Sequence, residues 1–198
     1  PYLSSLEDRA GPPVIYNRFP ELYRPWSEMS EAMMNGPSPL DQAQRELIFA
    51  YAAGLAGCGY VAIAHAAVAH ARGIEEGLIE DLLAGTGMDR VDAKIIPILA
   101  FTRKLMTEPD NLERIDHDAI LDAGWDEDAI HPTIAVCGRG VFMHRMVMGY
   151  GCIPFSREEA ARRAARVVVA GVGHRRARAV HQREARVVGR ARRVRVHN

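Results

Sequence analysis

The sequence predicts an all-α fold, and three observations carry that expectation. No alternating β-branched runs bounded by hairpin turns occur ahead of the last forty or so residues. The chain is 48% hydrophobic but only 7% aromatic, a balance that suits an Ala- and Leu-rich helical body. The clearest periodic stretch, Arg45 to Gly73, reads as two helical arms joined at a glycine break. At 198 residues one domain with a respectable core is expected.

Taken in order, residues 1–18 are punctuated by Gly11, Pro12 and Pro13 and read as an extended arm laid on a neighbouring subunit. The first residue is proline rather than methionine, which reads as a trimmed or incomplete start, and no basic, apolar leader pattern follows. A helix is predicted from Glu21 to Met34 with Leu22, Trp26, Met29 and Met33 inward, closed by Asn35-Gly36-Pro37. The first hairpin arm starts with Ser38 as cap, Pro39 at the first helical position and Asp41 in the first turn. It carries Leu40, Leu47, Ile48, Tyr51 and Leu55 as an apolar stripe, and Ala43, Glu46, Ala50, Ala53 and Gly57 as a face of small residues with one acid. After Gly54, Gly57 and Gly59 the second arm places Cys58, Ala62, His65, Ala66 and Ala69 on one side and ends at Arg72-Gly73. Two seams this small, joined by so short a turn, make close antiparallel neighbours and set Glu46 opposite His65.

Further helices are predicted over Ile74 to Leu83, Val91 to Met106 and Asp116 to Asp122. A long one begins at Asp126, with Trp125 stapled onto Ile130, a kink or restart at Pro132, and Ile134, Val141 and Met148 facing the core. This closes a helical domain over residues 19–156.

Residues 157–198 are a different material. They hold thirteen Arg, no Lys and three Glu, a net of +10, so the rest of the chain, with 12 basic and 22 acidic residues, is at −10 and the neutral total conceals two opposed parts. Without Leu, Ile or aromatic residues this tail builds no core of its own. A basic arm for nucleic acid is one reading. The preferred one is out-of-frame translation of a GC-rich gene, because a nucleic-acid arm ordinarily mixes Lys with Arg and adds aromatic or polar readers. Leu47 to Ala71 lacks formal charge, yet its histidines and mid-run glycine argue against a membrane span. Three cysteines without framework spacing fit a reducing cytoplasm.

Cys58, His65 and Glu46 are the residues on which chemistry converges. A thiol becomes a strong nucleophile only when deprotonated; the free amides at a helix start and an imidazole held by a carboxylate both favour that. The competing reading makes Cys58 a small buried hydrophobe, His65 a satisfied core histidine and Glu46 a helix charge; residue types alone leave both open. Cys137 and Cys152 read as buried structural thiols. No metal is predicted, since His65 and His70 leave different helix faces and no Cys or His cluster has zinc spacing. No organic cofactor is predicted either, because no Gly-rich phosphate loop follows a strand.

Glu46, Cys58 and His65, with Gly59-Tyr60 after the thiol, resemble the alkylhydroperoxidase D and carboxymuconolactone decarboxylase superfamily, in its peroxidase-related branch. The resemblance runs from about Phe19 to Phe155 through PSPLDQAQRELIFAY, DLLAG, ILAFTRKLMTEP, AGWDEDAI and FMHRMVMGYG. It implies a compact helical bundle, a homo-oligomer such as a trimer or hexamer, and reduction of hydroperoxides with an external thiol. Cys58 then matches the first motif cysteine, His65 the proton relay and Glu46 the orienting acid. Two departures stand out: Val61 occupies the place of the second cysteine, so no Cys-x-x-Cys disulfide can form, and His144 stands where asparagine is expected. The alternative the resemblance allows is non-redox, decarboxylase-like acid–base work by His65 and Glu46 on a small carboxylate or lactone, or binding of a small ligand.

Overall fold

The computed structural model describes residues 1–169; residues 170–198, which include most of the Arg-rich segment, lie outside the described residues. The helices are α1 (Pro12–Arg18), α2 (Pro20–Asn35), α3 (Gln42–Leu55), α4 (Gly59–Ala71), α5 (Leu78–Leu83), α6 (Ile96–Thr107), α7 (Arg114–Asp122) and α8 (Ile130–Tyr150). Residues 157–169 are also helical, and no strand occurs among the described residues. The predicted all-α class is what the chain adopts.

α3 is the axis of the molecule. Every residue from Arg45 to Ala53 is buried, and α4, α5, α6 and α8 all pack on it. A helix apolar on all sides belongs in a core, and the small side chains Ala50, Ala52 and Ala53, none of them exposed, let four neighbours approach. The α3–α4 turn closes as a Schellman motif: Cys58 N–H donates to Ala53 O at 2.9 Å and Gly57 N–H to Gly54 O at 2.9 Å. Gly57 is left-handed there, with φ +75°, which a side chain would strain. Arg45 ties the end of α2 to α3 through Nη1 bonds to Met33 O (2.9 Å) and Gly36 O (3.0 Å). Arg103 of α6 does the same on the far side, donating to the Tyr51 hydroxyl at 2.8 Å and to Leu82 O at 3.1 Å.

Several local expectations are corrected. The cap of α3 is Asp41, which accepts from Gln44 N–H while the Gln44 side chain accepts from Asp41 N–H; Ser38 caps the turn before it, accepting from Leu40 N–H. On α2 the buried face is Tyr23, Ser30 and Met34, leaving Leu22 (67%) and Met29 (54%) exposed. α5 starts at Leu78 rather than Ile74, and α6 starts at Ile96, where Pro97 suits the first turn. Asp126 opens only a 3-10 turn, and α8 restarts at Ile130, so Pro132 falls in a first turn where its missing N–H costs nothing. Trp125 is also tied to the segment before α6: its Nε1 donates to Lys94 O at 2.7 Å and Lys94 Nζ lies 4.2 Å over its ring.

The heptad stripe on α8 also points the other way. Ile134, Val141 and Met148 are 43%, 45% and 55% exposed, whereas Thr133, Val136, Cys137, Gly140, Met143 and Val147 are buried. Gly140 lies on this inward face, where a Cβ would stand in ordinary contact with Ala52 and Phe49 of α3 at 3.7 and 3.8 Å.

The first eighteen residues, expected as an extended arm on another subunit, pack on their own chain. Pro12–Arg18 is helical, Leu6, Ala10 and Ile15 join the core, and Tyr2 N–H bonds Tyr150 O at 2.9 Å. Among the described residues no helix is long and apolar enough to cross a membrane.

Candidate functional site

The antiparallel α3–α4 pair brings Glu46 and His65 together. His65 Nδ1 lies 2.6 Å from Glu46 Oε2, with the two side chains 22% and 8% exposed. A carboxylate only accepts, so Nδ1–H donates and Nε2 is the ring nitrogen left free of Glu46. Phe49, one turn beyond Glu46, sets its ring edge-on to the imidazole with centroids 4.2 Å apart, which fixes the ring plane.

Both residues line a cavity of about 410 Å³. That volume falls in the range of cavities that hold small organic molecules. Val61, Val68 and Met143 give it apolar walls, Arg139 of α8 adds a cation, and Ala164 and Val167 of the terminal helical segment close one side. The roof is made by the two ends of the described chain, joined where Arg9 Nη2 meets both Glu159 oxygens at 3.1 Å. Tyr60 and Phe155 stack beneath it at 5.2 Å, and burial pushes the Tyr60 phenol up to about 12, so it stays protonated. Tyr16 accepts from Trp26 Nε1 at 3.0 Å and donates to Met143 Sδ at 3.2 Å, anchoring the apolar wall; burial raises its phenol as well.

Cys58 stands apart from this arrangement. It is fully buried within the hydrophobic core and does not line the cavity. Burial pushes its thiol up, and hydrogen bonds from the Val61 and Tyr60 amides recover only part of that. The expectation that the start of α4 favours thiolate is therefore reversed in sign: desolvation outweighs the helix terminus. The residue one turn further, at the cavity wall, is Val61. Cys137 and Cys152 are likewise buried, and all three cysteines are free.

Arg139, unremarked in the sequence, had a legible signal. It is the single formal charge in the apolar run Ile134 to Met143, flanked by two glycines. Among the described residues no group of three or more His, Cys, Asp or Glu is placed to hold a metal ion.

The sequence model of the carboxymuconolactone decarboxylase family matches residues 20–103, which contain Glu46, Cys58, Val61 and His65. None of the curated proteins matches the chain in sequence. Among solved structures the chain is similar to an uncharacterized peroxidase-related protein from Silicibacter sp. TM1040, at 21% identity and TM-score 0.67, over 75% of this chain and 76% of that one. It is also similar to an alkylhydroperoxidase AhpD core, an uncharacterized peroxidase-related protein from Ralstonia eutropha JMP134, at 17% identity and TM-score 0.68, over 77% of this chain and 79% of that one. At such identities the likeness is one of fold, and the fold is the helical bundle that the resemblance implied.

Proposed function

We infer, taking residues 20–103 as a carboxymuconolactone decarboxylase family segment, that the cavity performs non-redox acid–base chemistry on a small organic ligand. His65 is the base and Glu46 its orienting acid. The observation that carries this reading is the 2.6 Å Glu46–His65 bond in the wall of a cavity from which the only motif cysteine is absent. His65 Nε2 takes a proton from a carbon next to a carbonyl, the C–H bond breaks as N–H forms, and Glu46 offsets the imidazolium charge until the proton is returned. Thiol-dependent hydroperoxide reduction is the less supported reading, because the Cys58 sulfur has neither solvent contact nor a lowered pKa.

The test is hydrogen–deuterium exchange. Small lactones and carbonyl acids with an acidic C–H are incubated in D2O with the protein, and the C–H signal is followed by proton NMR. Protein-dependent exchange that is lost in His65→Ala and persists in Cys58→Ala supports the reading. Exchange indifferent to His65→Ala, or hydroperoxide consumption abolished by Cys58→Ser, overturns it.

A further inference from the structure

The acid–base reading leaves one charged group in the cavity unused, Arg139. Its Nε and Nη1 are shut off from solvent and bond to no partner. Glu46, the acid whose charge it feels, gives its Oε2 to His65 instead. Phe49 lies under the guanidinium carbon at 4.0 Å, which supports the cation without filling an N–H. Burial lowers the Arg139 pKa while Glu46 and Tyr16 pull it back up, and an arginine under such pressure remains protonated. Nη2 is the guanidinium nitrogen not shut off from solvent, so it is the donor that an acceptor in the cavity reaches.

The rest of the cavity defines that acceptor. Val61, Val68, Met143 and Val167 give an apolar channel, so the ligand's body is apolar. A charged nitrogen in an apolar wall calls for an anionic oxygen on the ligand. Glu46 lies near enough to repel a second negative charge, which favours a monoanion over a phosphate monoester. Arg139 lies beyond residues 20–103, so the family match does not assign it.

We propose that Arg139 anchors the carboxylate of an apolar monocarboxylic acid, holding its body along Val61, Val68 and Met143 with the carbon next to its reacting carbonyl beside His65. For the reaction this rests on the acid–base reading above; for binding it does not. Arg139 is then a specificity residue, and Phe49 the ring that touches both the anchor and the base.

The experiment is calorimetric titration of the full chain with octanoate, 1-octanol and octyl phosphate near neutral pH. Octanoate is expected to bind about 10–100-fold more tightly than octanol, the worth of charge-assisted hydrogen bonds, and more tightly than octyl phosphate. Arg139→Gln removes the preference and Arg139→Lys restores part of it, with circular dichroism confirming the helical fold of each. If Arg139→Gln does not fold, Glu46→Gln decides: removing the neighbouring negative charge must tighten octanoate and leave octanol unchanged. Equal binding of octanoate and octanol, a preference that survives Arg139→Gln, tighter binding of octyl phosphate, or no binding of octanoate at millimolar concentration overturns the proposal. Octanoate binding without proton exchange on any carbon acid sinks the acid–base reading and leaves the anchor. Exchange on neutral lactones with no octanoate preference does the reverse.

Discussion

His65 Nδ1 and Glu46 Oε2 lie 2.6 Å apart although nineteen residues separate them in sequence. The short turn at Gly57 brings α3 and α4 side by side, and the alanines along the seam let the backbones come close enough for two short polar side chains to meet. Phe49 braces the imidazole from the flank, so the pair is held by packing as much as by its hydrogen bond. A base held this way keeps one nitrogen occupied and presents the other, which is the arrangement proton transfer needs.

Removing either partner should separate positioning from chemistry. His65→Ala is expected to lower proton exchange by about 10²–10⁴-fold, the usual worth of a positioned base. Glu46→Gln, which keeps the shape but not the charge, should cost about 10–100-fold, as losses of an orienting partner do. Exchange rates measured by NMR check both, with melting temperatures to confirm folding. A Glu46→Gln loss equal to that of His65→Ala would mean that the carboxylate, not the imidazole, carries the proton.

The sulfur of Cys58 gives an independent reading of the same site. Because it is fully buried and its thiol is pushed up by burial, a disulfide reagent at neutral pH should label it slowly in the native state and at once in denaturant. Cys58→Ala should leave proton exchange within about twofold, since the side chain does not line the cavity and its volume changes little. Rapid native labelling would return the thiol to the chemistry.

Val61→Cys tests what the missing motif residue does. The new thiol would stand at the cavity wall, one helical turn from Cys58, where a vicinal pair can form a disulfide and lower a thiol pKa. Valine and cysteine are close in volume, so stability should shift by less than about 1.5 kcal/mol. Hydroperoxide consumption with a dithiol reductant, absent before and present after the substitution, is the expected outcome. Consumption unchanged by Val61→Cys would show that more than one residue separates this chain from peroxide chemistry.

The sequence made the axis legible and the faces less so. Glycine punctuation at Gly54, Gly57 and Gly73, with alanine seams between, placed α3 and α4 and set Glu46 opposite His65, because those signals are local. The inward face of α8 was not legible: seven-residue spacing marks Ile134, Val141 and Met148 as a stripe, but which stripe turns inward depends on packing against α3, which lies far off in the chain. The sign of the Cys58 shift escaped for a related reason. A helix start can be read from sequence, whereas the hydrocarbon packed over it comes from helices far away in the chain. Arg139 became a site residue only when α8 carried it against Phe49.

Burial of the thiols also fixes how the fold responds to alkali. Cys137, 1% exposed, is pushed up to about 12 from 9.0 by desolvation, and Cys58 and Cys152 are raised by the same cause. Between those two values the folded chain keeps the Cys137 proton while the unfolded chain has lost it. Stability from this thiol is therefore whole below pH 9 and falls at about 1.4 kcal/mol per pH unit as pH rises toward 12. Urea denaturation at a series of pH values should show a midpoint that is steady near neutrality and declines from about pH 9, where the unfolded thiols begin to ionise. Cys137→Ala removes the titrating group, so its decline should be shallower even if its midpoint at neutral pH is lower. Parallel declines in the two proteins would mean that the Cys137 proton is no harder to remove in the folded chain than in the unfolded one.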